Sequence, residues 1–248
     1  MLFKNSTILV TGGATGIGLA LAKRLRELGN SVIVCGRRSE RLEHAANEVP
    51  GLVTIQCDVS REEERLRLFE QIVVRYPDTN IVINNAAIQN RPGPLTGAQD
   101  WRAHSNEIAT NLEAPLHLSM LFTKHLMRKS EAAIVNVTSG LAFVPMSFMA
   151  TYCATKAALH SFTLSLRHQL ADSSIQVVEI IPPKVNTDLG GVGLHNDGIA
   201  LDTFADYVIE ALVAGRLEFG YETSERNRVA SREQLDTVFQ SLNPCKTR

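Results

Sequence analysis

The chain carries 248 residues, 44% of them hydrophobic, with 25 Lys and Arg against 26 Asp and Glu and a formal net charge of −1. That length suffices for a full hydrophobic core, and the interspersed charges exclude a basic stripe for nucleic acid or a polybasic membrane signal. No run of about eighteen apolar residues occurs, and residues 1–6 are too few for a secretory leader, so a cytoplasmic protein without membrane insertion is expected.

Ile8, Leu9 and Val10 form a short apolar strand that ends in Thr11-Gly12-Gly13-Ala14-Thr15-Gly16-Ile17-Gly18. Gly12, Gly16 and Gly18 lack Cβ, which permits a tight turn, close approach to a pyrophosphate, and tight packing of the following helix on the strand. The helix N-terminus then offers free N–H groups and the positive end of its dipole to phosphates. Ile17, Leu21, Leu25 and Leu28 recur at helical spacing, and Gly29-Asn30 ends the helix.

Beyond it, strands are expected at 31–35, 52–57, 81–83, 133–137, 175–181 and 217–221. Helices are expected at 39–48, 61–76, 100–127, 151–171 and 201–214, and residues 222–248 form an unassigned tail. Strands apolar throughout and alternating with helices imply a parallel sheet covered on both faces. The expected fold is therefore α/β, a Rossmann-type doubly wound seven-stranded sheet. No linker divides the chain, so residues 1–248 read as a single nucleotide-binding domain, with a substrate lid near 186–200. Gly12 to Gly18, Gly36-Arg37-Arg38, Asp58, Asn84, Ser139 and Pro182 each follow a strand end. Six segments thus converge on the rim where ligands bind in such sheets.

Tyr152 and Lys156 are spaced to share one helical face. A phenol titrates near ~10, and an ammonium beside it stabilises the phenolate. Bringing it to ~7 takes about 4 kcal/mol, from that cation together with a bound cofactor's charge. Such a pair is a proton donor at neutral pH, and an enzyme is the leading reading.

Taken together, Thr11-Gly12-x-x-x-Gly16-x-Gly18, Asn84-Asn85-Ala86, Asn111, Ser139 and Tyr152-Cys153-Ala154-Thr155-Lys156 resemble the short-chain dehydrogenase/reductase family in order and spacing, from Thr7 to Tyr221. Within it the chain is most similar to the DltE-like bacterial oxidoreductases, residues 224–234 included. The resemblance implies that Tyr152 exchanges a proton with a carbonyl oxygen while hydride passes to or from a nicotinamide. It implies that Lys156 lowers the Tyr152 pKa and binds the nicotinamide ribose, that Ser139 holds the carbonyl oxygen, and that Asn111 positions a water linking Lys156 to solvent. Read alone, Ser139 is a strand-end cap and Asn111 a turn residue. The cofactor would lie on Gly12, Ala14, Thr15, Gly16, Ile17 and Gly18, beside Asn84 and Ala86. Asp58 and Val59 would meet the adenine, and Pro182, Val185 and Thr187 the nicotinamide side.

Arg37 and Arg38 stand where an acidic residue would reject a 2′-phosphate, so NADP(H) is expected. Many NADP-dependent relatives carry a basic residue or serine in place of Thr15, which leaves NAD(H) open. Ala87 and Pro183 replace glycines usual in the family. Phe143, Val144, Met146, Phe148 and Met149 either wall an apolar carbonyl or alcohol substrate or belong to a subunit interface or the core; no Arg or Lys cluster marks an acidic substrate, although Lys184 lies near enough for one, and His195 would be exposed or packed in the lid. Leu159, Phe162, Leu166 and Leu170 form an apolar face on the Tyr152 helix, wider than a sheet-covering helix needs, and the resemblance, to a family that commonly pairs this helix across a two-fold axis, implies a homodimer or homotetramer. Cys35, Cys57, Cys153 and Cys245 read as free thiols, and the Cys and His residues show no metal-ligand spacing. The alternative to a reductase is a non-catalytic NADP(H)-sensing or scaffold protein on the same fold.

Overall fold

The computed structural model describes residues 2–93 and 96–244, so Cys245 lies outside the described residues. Seven strands make one sheet: β1 (Thr7–Thr11), β2 (Ser31–Gly36), β3 (Val53–Gln56), β4 (Thr79–Asn84), β5 (Ala132–Val137), β6 (Ile175–Ile181) and β7 (Glu218–Gly220). Every pairing is parallel, and the order is β3-β2-β1-β4-β5-β6-β7. The chain winds outward from β1 in one direction and from β4 in the other, so the crevice between their carboxyl ends is the switch point of a doubly wound Rossmann-type fold.

Alternation along the strands sends successive side chains to opposite faces, and both faces are covered. Ile8, Val10, Val34, Ile83 and Ile180 meet α1 (Gly16–Glu27), α2 (Ser39–Glu48) and α7 (Leu201–Val213). Leu9, Ile33, Val82, Ile134 and Val177 meet α3 (Glu62–Arg75), α5 (Ala114–Leu126) and α6 (Ala150–Gln169). Phe204 and Phe122 are fully buried, one on each side; each contributes about 2 to 3 kcal/mol by leaving water. Local chemistry sets the ends. Gly29 at φ +84 closes α1, with the Gly29 and Asn30 N–H groups returning to Arg26 and Leu25. Asp100 caps α4 (Trp101–Ile108) by accepting from the Arg102 N–H at 2.9 Å.

Three features depart from the sequence-based expectation. The single helix expected at 100–127 is α4 and α5 joined through a π-helical turn, Ala109–Glu113. Pro115 in the first turn of α5 marks the break: it has no N–H to give the carbonyl four residues earlier, that of Asn111. The tail carries two helices, α8 (Thr223–Val229) and α9 (Arg232–Leu242). Ser231 and Gln234 form a capping box at the start of α9, and their Ser-x-x-Gln spacing is a helix-start signal within the tail. Finally, Leu159 and Leu166 are buried, and Phe162, Leu166 and Leu170 pack into the core on the α5 side. The apolar face assigned to subunit pairing is therefore used within the chain itself.

Candidate active site

The strands' carboxyl ends open into a cleft of about 1780 Å³. Gly12, Ala14, Thr15, Gly16, Ile17, Arg37, Arg38, Asp58, Val59, Ala86, Ser139, Tyr152, Lys156, Pro182, Val185 and Thr187 all line it, as do Ala87 and Pro183. Gly12 holds φ +63, and a Cβ there would lie 2.8 Å from the Ala86 Cα, so the turns after β1 and β4 cross in close contact. Thr11 and Asn85 lock that crossing. Thr11 Oγ1 accepts from the Asn85 and Ala86 N–H groups at 3.0 Å each, and Asn85 Nδ2 donates to the carbonyls of Thr11 and Gly12. Neither lock residue was assigned a role from sequence, although both stand at the ends of strands that prove to be neighbours.

Two expected cofactor contacts lie behind the cleft. A Cβ on Gly18 would come 2.4 Å from the Gly12 carbonyl oxygen, so this glycine serves the packing of α1 on the turn. Asn84 is buried and donates to Asn136 at 2.9 Å and to Ser119 at 3.3 Å. As the last residue of β4 it turns towards α5, and Asn85 takes the cleft side.

At the β2–β3 end, Arg37, Arg38 and Arg41 are exposed at the rim and have no carboxylate partner among the described residues. Arg41, one turn into α2, had not been singled out. The Asp58 carboxylate accepts from the Ser60 N–H and hydroxyl at 3.0 and 2.8 Å, which fixes the loop that carries Val59.

At the other end Ser139, Tyr152 and Lys156 come together, all buried. Ser139 Oγ also accepts from the Leu141 N–H at 3.1 Å, so it caps the turn after β5 while lining the cleft. Lys156 Nζ donates to the Val137 carbonyl at 2.8 Å and lies 5.8 Å from the Tyr152 ring centre. Burial lowers the Lys156 pKa to about 8, partly opposed by Glu179, which is itself fully buried in β6 and bonded to His160 and Thr138. In the protein itself Tyr152 moves opposite to expectation: burial pushes its phenol well above 10, and the Ser139 side chain opposes that rise. The ammonium is turned to the Val137 carbonyl rather than to the phenol oxygen, so burial dominates.

Asn111 does not line the cleft. Its Oδ1 accepts from the Ile88 N–H at 2.9 Å, and its Nδ2 donates to the Ile88 carbonyl at 2.8 Å and the Thr155 hydroxyl at 3.4 Å. The side chain thereby pins the segment after β4, while the backbone carbonyl lacks the α-helical donor that Pro115 cannot supply.

Over the substrate end, Leu141, Met146, Phe148 and Met149 line the cleft. Phe143 packs against His160 with ring centres 4.7 Å apart and planes tilted by 58°, and Val144 is buried. The segment expected as a lid has its two ends joined by Asn186 N–H to Ile199 O and Ile199 N–H to Lys184 O bonds, and Lys184 pairs with Asp197. His195 is buried in the lid. From the tail, Arg226, Asn227, Gln234, Val238 and Leu242 reach the cleft, and Asn243 ties α9 to the opposite wall through Ser147 N–H and Pro145 O. Cys153 is buried against the Met146 backbone. No three His, Cys, Asp or Glu side chains gather as metal ligands among the described residues, and no described helix is long and apolar enough to cross a membrane.

A fold wound about a glycine turn, with a Ser, Tyr and Lys set at its rim, defines a nucleotide-linked oxidoreductase. The chain belongs to the short chain dehydrogenase family, whose model matches residues 6–194. It is 46% identical, over 98% of both chains, to an uncharacterized oxidoreductase, DltE, of Bacillus subtilis. It is 28% identical to an NADP-dependent 3-hydroxy acid dehydrogenase of Salmonella typhi, over 77% of each chain. A short chain dehydrogenase from Burkholderia cenocepacia, solved with NADP, superposes with a TM-score of 0.82 at 28% identity, covering 96% of this chain and 99% of that one.

Proposed function

We propose that the protein is an NADP(H)-dependent oxidoreductase that moves hydride between the nicotinamide and a carbonyl or secondary alcohol. The convergence of Ser139, Tyr152 and Lys156 on one wall of the cleft, with Arg37, Arg38 and Arg41 exposed at its far rim, carries this reading.

The residues present fit a dinucleotide. At Gly16 a Cβ would meet only Thr187, at 3.6 Å, so the turn keeps room on its cleft side; α1 begins there with its N-terminus facing the turn, and the arginine rim suits a 2′-phosphate. The bound nicotinamide supplies hydride chemistry. Ser139 Oγ and the Tyr152 hydroxyl would hold the carbonyl oxygen. Burial keeps the proton on Tyr152 until negative charge develops on that oxygen, which supports the reductive direction. Lys156 would then stabilise the phenolate, and a water on the Asn111 carbonyl would return the proton from solvent.

Pairing of subunits, where it occurs, would use Met120 on α5 and Leu164 on α6, which are 64% and 43% exposed. The chain is proposed to act as one nucleotide-binding domain over residues 1–248, in the cytoplasm, with its buried cysteines reduced.

NADPH fluorescence quenching and NADPH oxidation over a panel of carbonyl compounds test the reading. Wild type is expected to bind NADPH and consume it with at least one carbonyl, and Tyr152→Phe to bind while losing about 10²- to 10⁴-fold in kcat. Binding without turnover by either would favour the sensor, and near-full activity in Tyr152→Phe would reject the mechanism.

A further inference from the structure

The substrate end of the cleft holds a guanidinium that the chemistry above does not use. Arg91 lines the same cleft as Tyr152 and follows β4 by a short segment. Its Nη2 donates to Gln89 Oε1 at 3.3 Å and faces His195 Nε2 at 3.1 Å, while its Cζ sits 5.9 Å from the Phe148 ring centre. His195 Nδ1 faces the Thr187 carbonyl at 3.3 Å. A proton there leaves Nε2 as the acceptor for Arg91, and burial together with Arg91 and Lys184 holds the imidazole pKa low, so the ring is neutral. Every partner of Arg91 among the described residues is therefore uncharged. Lys184 is already paired with Asp197, and Asp188 lines the cleft without bonding to Arg91.

The backbone that carries Arg91 is braced from below. Asn111 grips both polar groups of Ile88, the fully buried Glu107 accepts the Asn90 N–H at 2.7 Å, and Asn90 Nδ2 donates to the Ala103 carbonyl at 2.9 Å. A buried carboxylate spent on one loop N–H is an unusual expense for a segment with only a solvated arginine to present. Nη1 and Nε of Arg91 make no hydrogen bond to a described residue, which leaves part of the planar fork open for a two-pronged acceptor.

We propose that Arg91 reads a carboxylate on the carbonyl substrate, so that the enzyme takes an oxo acid whose apolar body lies along Phe148, Met149, Val238 and Leu242. This rests on the reductase reading and narrows the apolar substrate expected from the wall residues to one with an anionic end. The lid joins the recognition, because His195 fixes the guanidinium from above when the lid is down.

The test compares six-carbon 2-, 3- and 4-oxo acids with their methyl esters in NADPH oxidation by wild type, Arg91→Met and Arg91→Lys. In wild type, at least one acid is expected to exceed its ester in kcat/KM by about 10- to 100-fold, the size of one charged hydrogen-bonded contact. Arg91→Met brings that ratio near one through KM, and Arg91→Lys restores part of it. A latch holding the lid and nothing more would lower acid and ester by the same factor, and an unchanged ratio would overturn the proposal, as would a wild type indifferent to the acid group. Should no carbonyl be turned over, the reductase reading fails separately. Thermal shift of the cofactor-free protein by hexanoate against hexanamide then decides Arg91: stabilisation by hexanoate in wild type that Arg91→Met loses supports it, and equal shifts overturn it.

Discussion

At the scale of single residues, the chemistry turns on how burial treats two titratable groups in contact with one cleft. Lys156 is 2% exposed, and burial has brought its pKa from an ordinary 10.5 to about 8. The ammonium needed to stabilise a phenolate is thus present below about pH 8 and lost above it. Reductive kcat/KM is expected to be level on the acid side and to fall tenfold per pH unit above about 8; a profile flat to pH 10 would remove Lys156 from the mechanism. The same shift has a stability consequence of fixed sign. Between about 8 and 10.5 the unfolded chain holds this proton and the folded one does not, so stability contributed by the site rises with pH across that window. Melting temperatures of wild type and Lys156→Met, measured in parallel, should show wild type gaining on the variant as pH rises from about 8. Glu179 shows why sequence reasoning found only part of this site: it stands inside an apolar strand, and only the fold places its carboxylate near Lys156 and His160.

At the scale of elements, the site depends on two pieces outside the alternating strand–helix pattern. The π turn between α4 and α5 is where Asn111 leaves the helical pattern and grips Ile88. The other piece is α9, which has no buried residue and is anchored at its far end by Asn243 to the backbone of Pro145 and Ser147. Removing that anchor should let α9 swing from the substrate wall. Asn243→Ala is expected to raise substrate KM several-fold while the NADPH dissociation constant, which depends on distant residues, changes by less than about twofold; equal losses in both would mean that α9 supports the whole fold. The convergence of five of the six strand-end segments on the cleft was legible in the sequence, because apolar runs fix strand ends and glycine spacing fixes the turn after β1. The docking of α9 was not, although its capping box was, since Asn243 bonds to a wall far away in sequence. Nor was the orientation of Asn84 legible, because a one-residue step along a strand reverses the face and strand ends are the least certain part of a pattern.

At the scale of the whole molecule, a net charge of −1 gives no overall pull on an anionic cofactor, so recognition has to come from where the charges sit. Arg37, Arg38 and Arg41 lie together at the β2–β3 rim, exposed and unpaired among the described residues, some way along the cleft from the reacting groups. A 2′-phosphate held by two or three guanidinium groups gains charge-assisted hydrogen bonds, each worth about 1.5 to 3 kcal/mol before solvent screening. Screening at an open rim is strong, with a Debye length of about 10 Å at moderate salt, so the lower figure applies and about tenfold per arginine is expected. NADH lacks that phosphate and, on the proposed reading, would gain nothing from these three arginines. The ratio of NADH to NADPH dissociation constants should therefore be large in wild type at low salt and shrink as salt is raised. In the Arg37→Ala, Arg38→Ala, Arg41→Ala triple variant it should lie near one and hardly respond to salt. Titrating both cofactors by fluorescence in both proteins reads this directly. A ratio that survives the triple substitution would place discrimination on the glycine turn, at Thr15, where the sequence already departs from many NADP-dependent relatives.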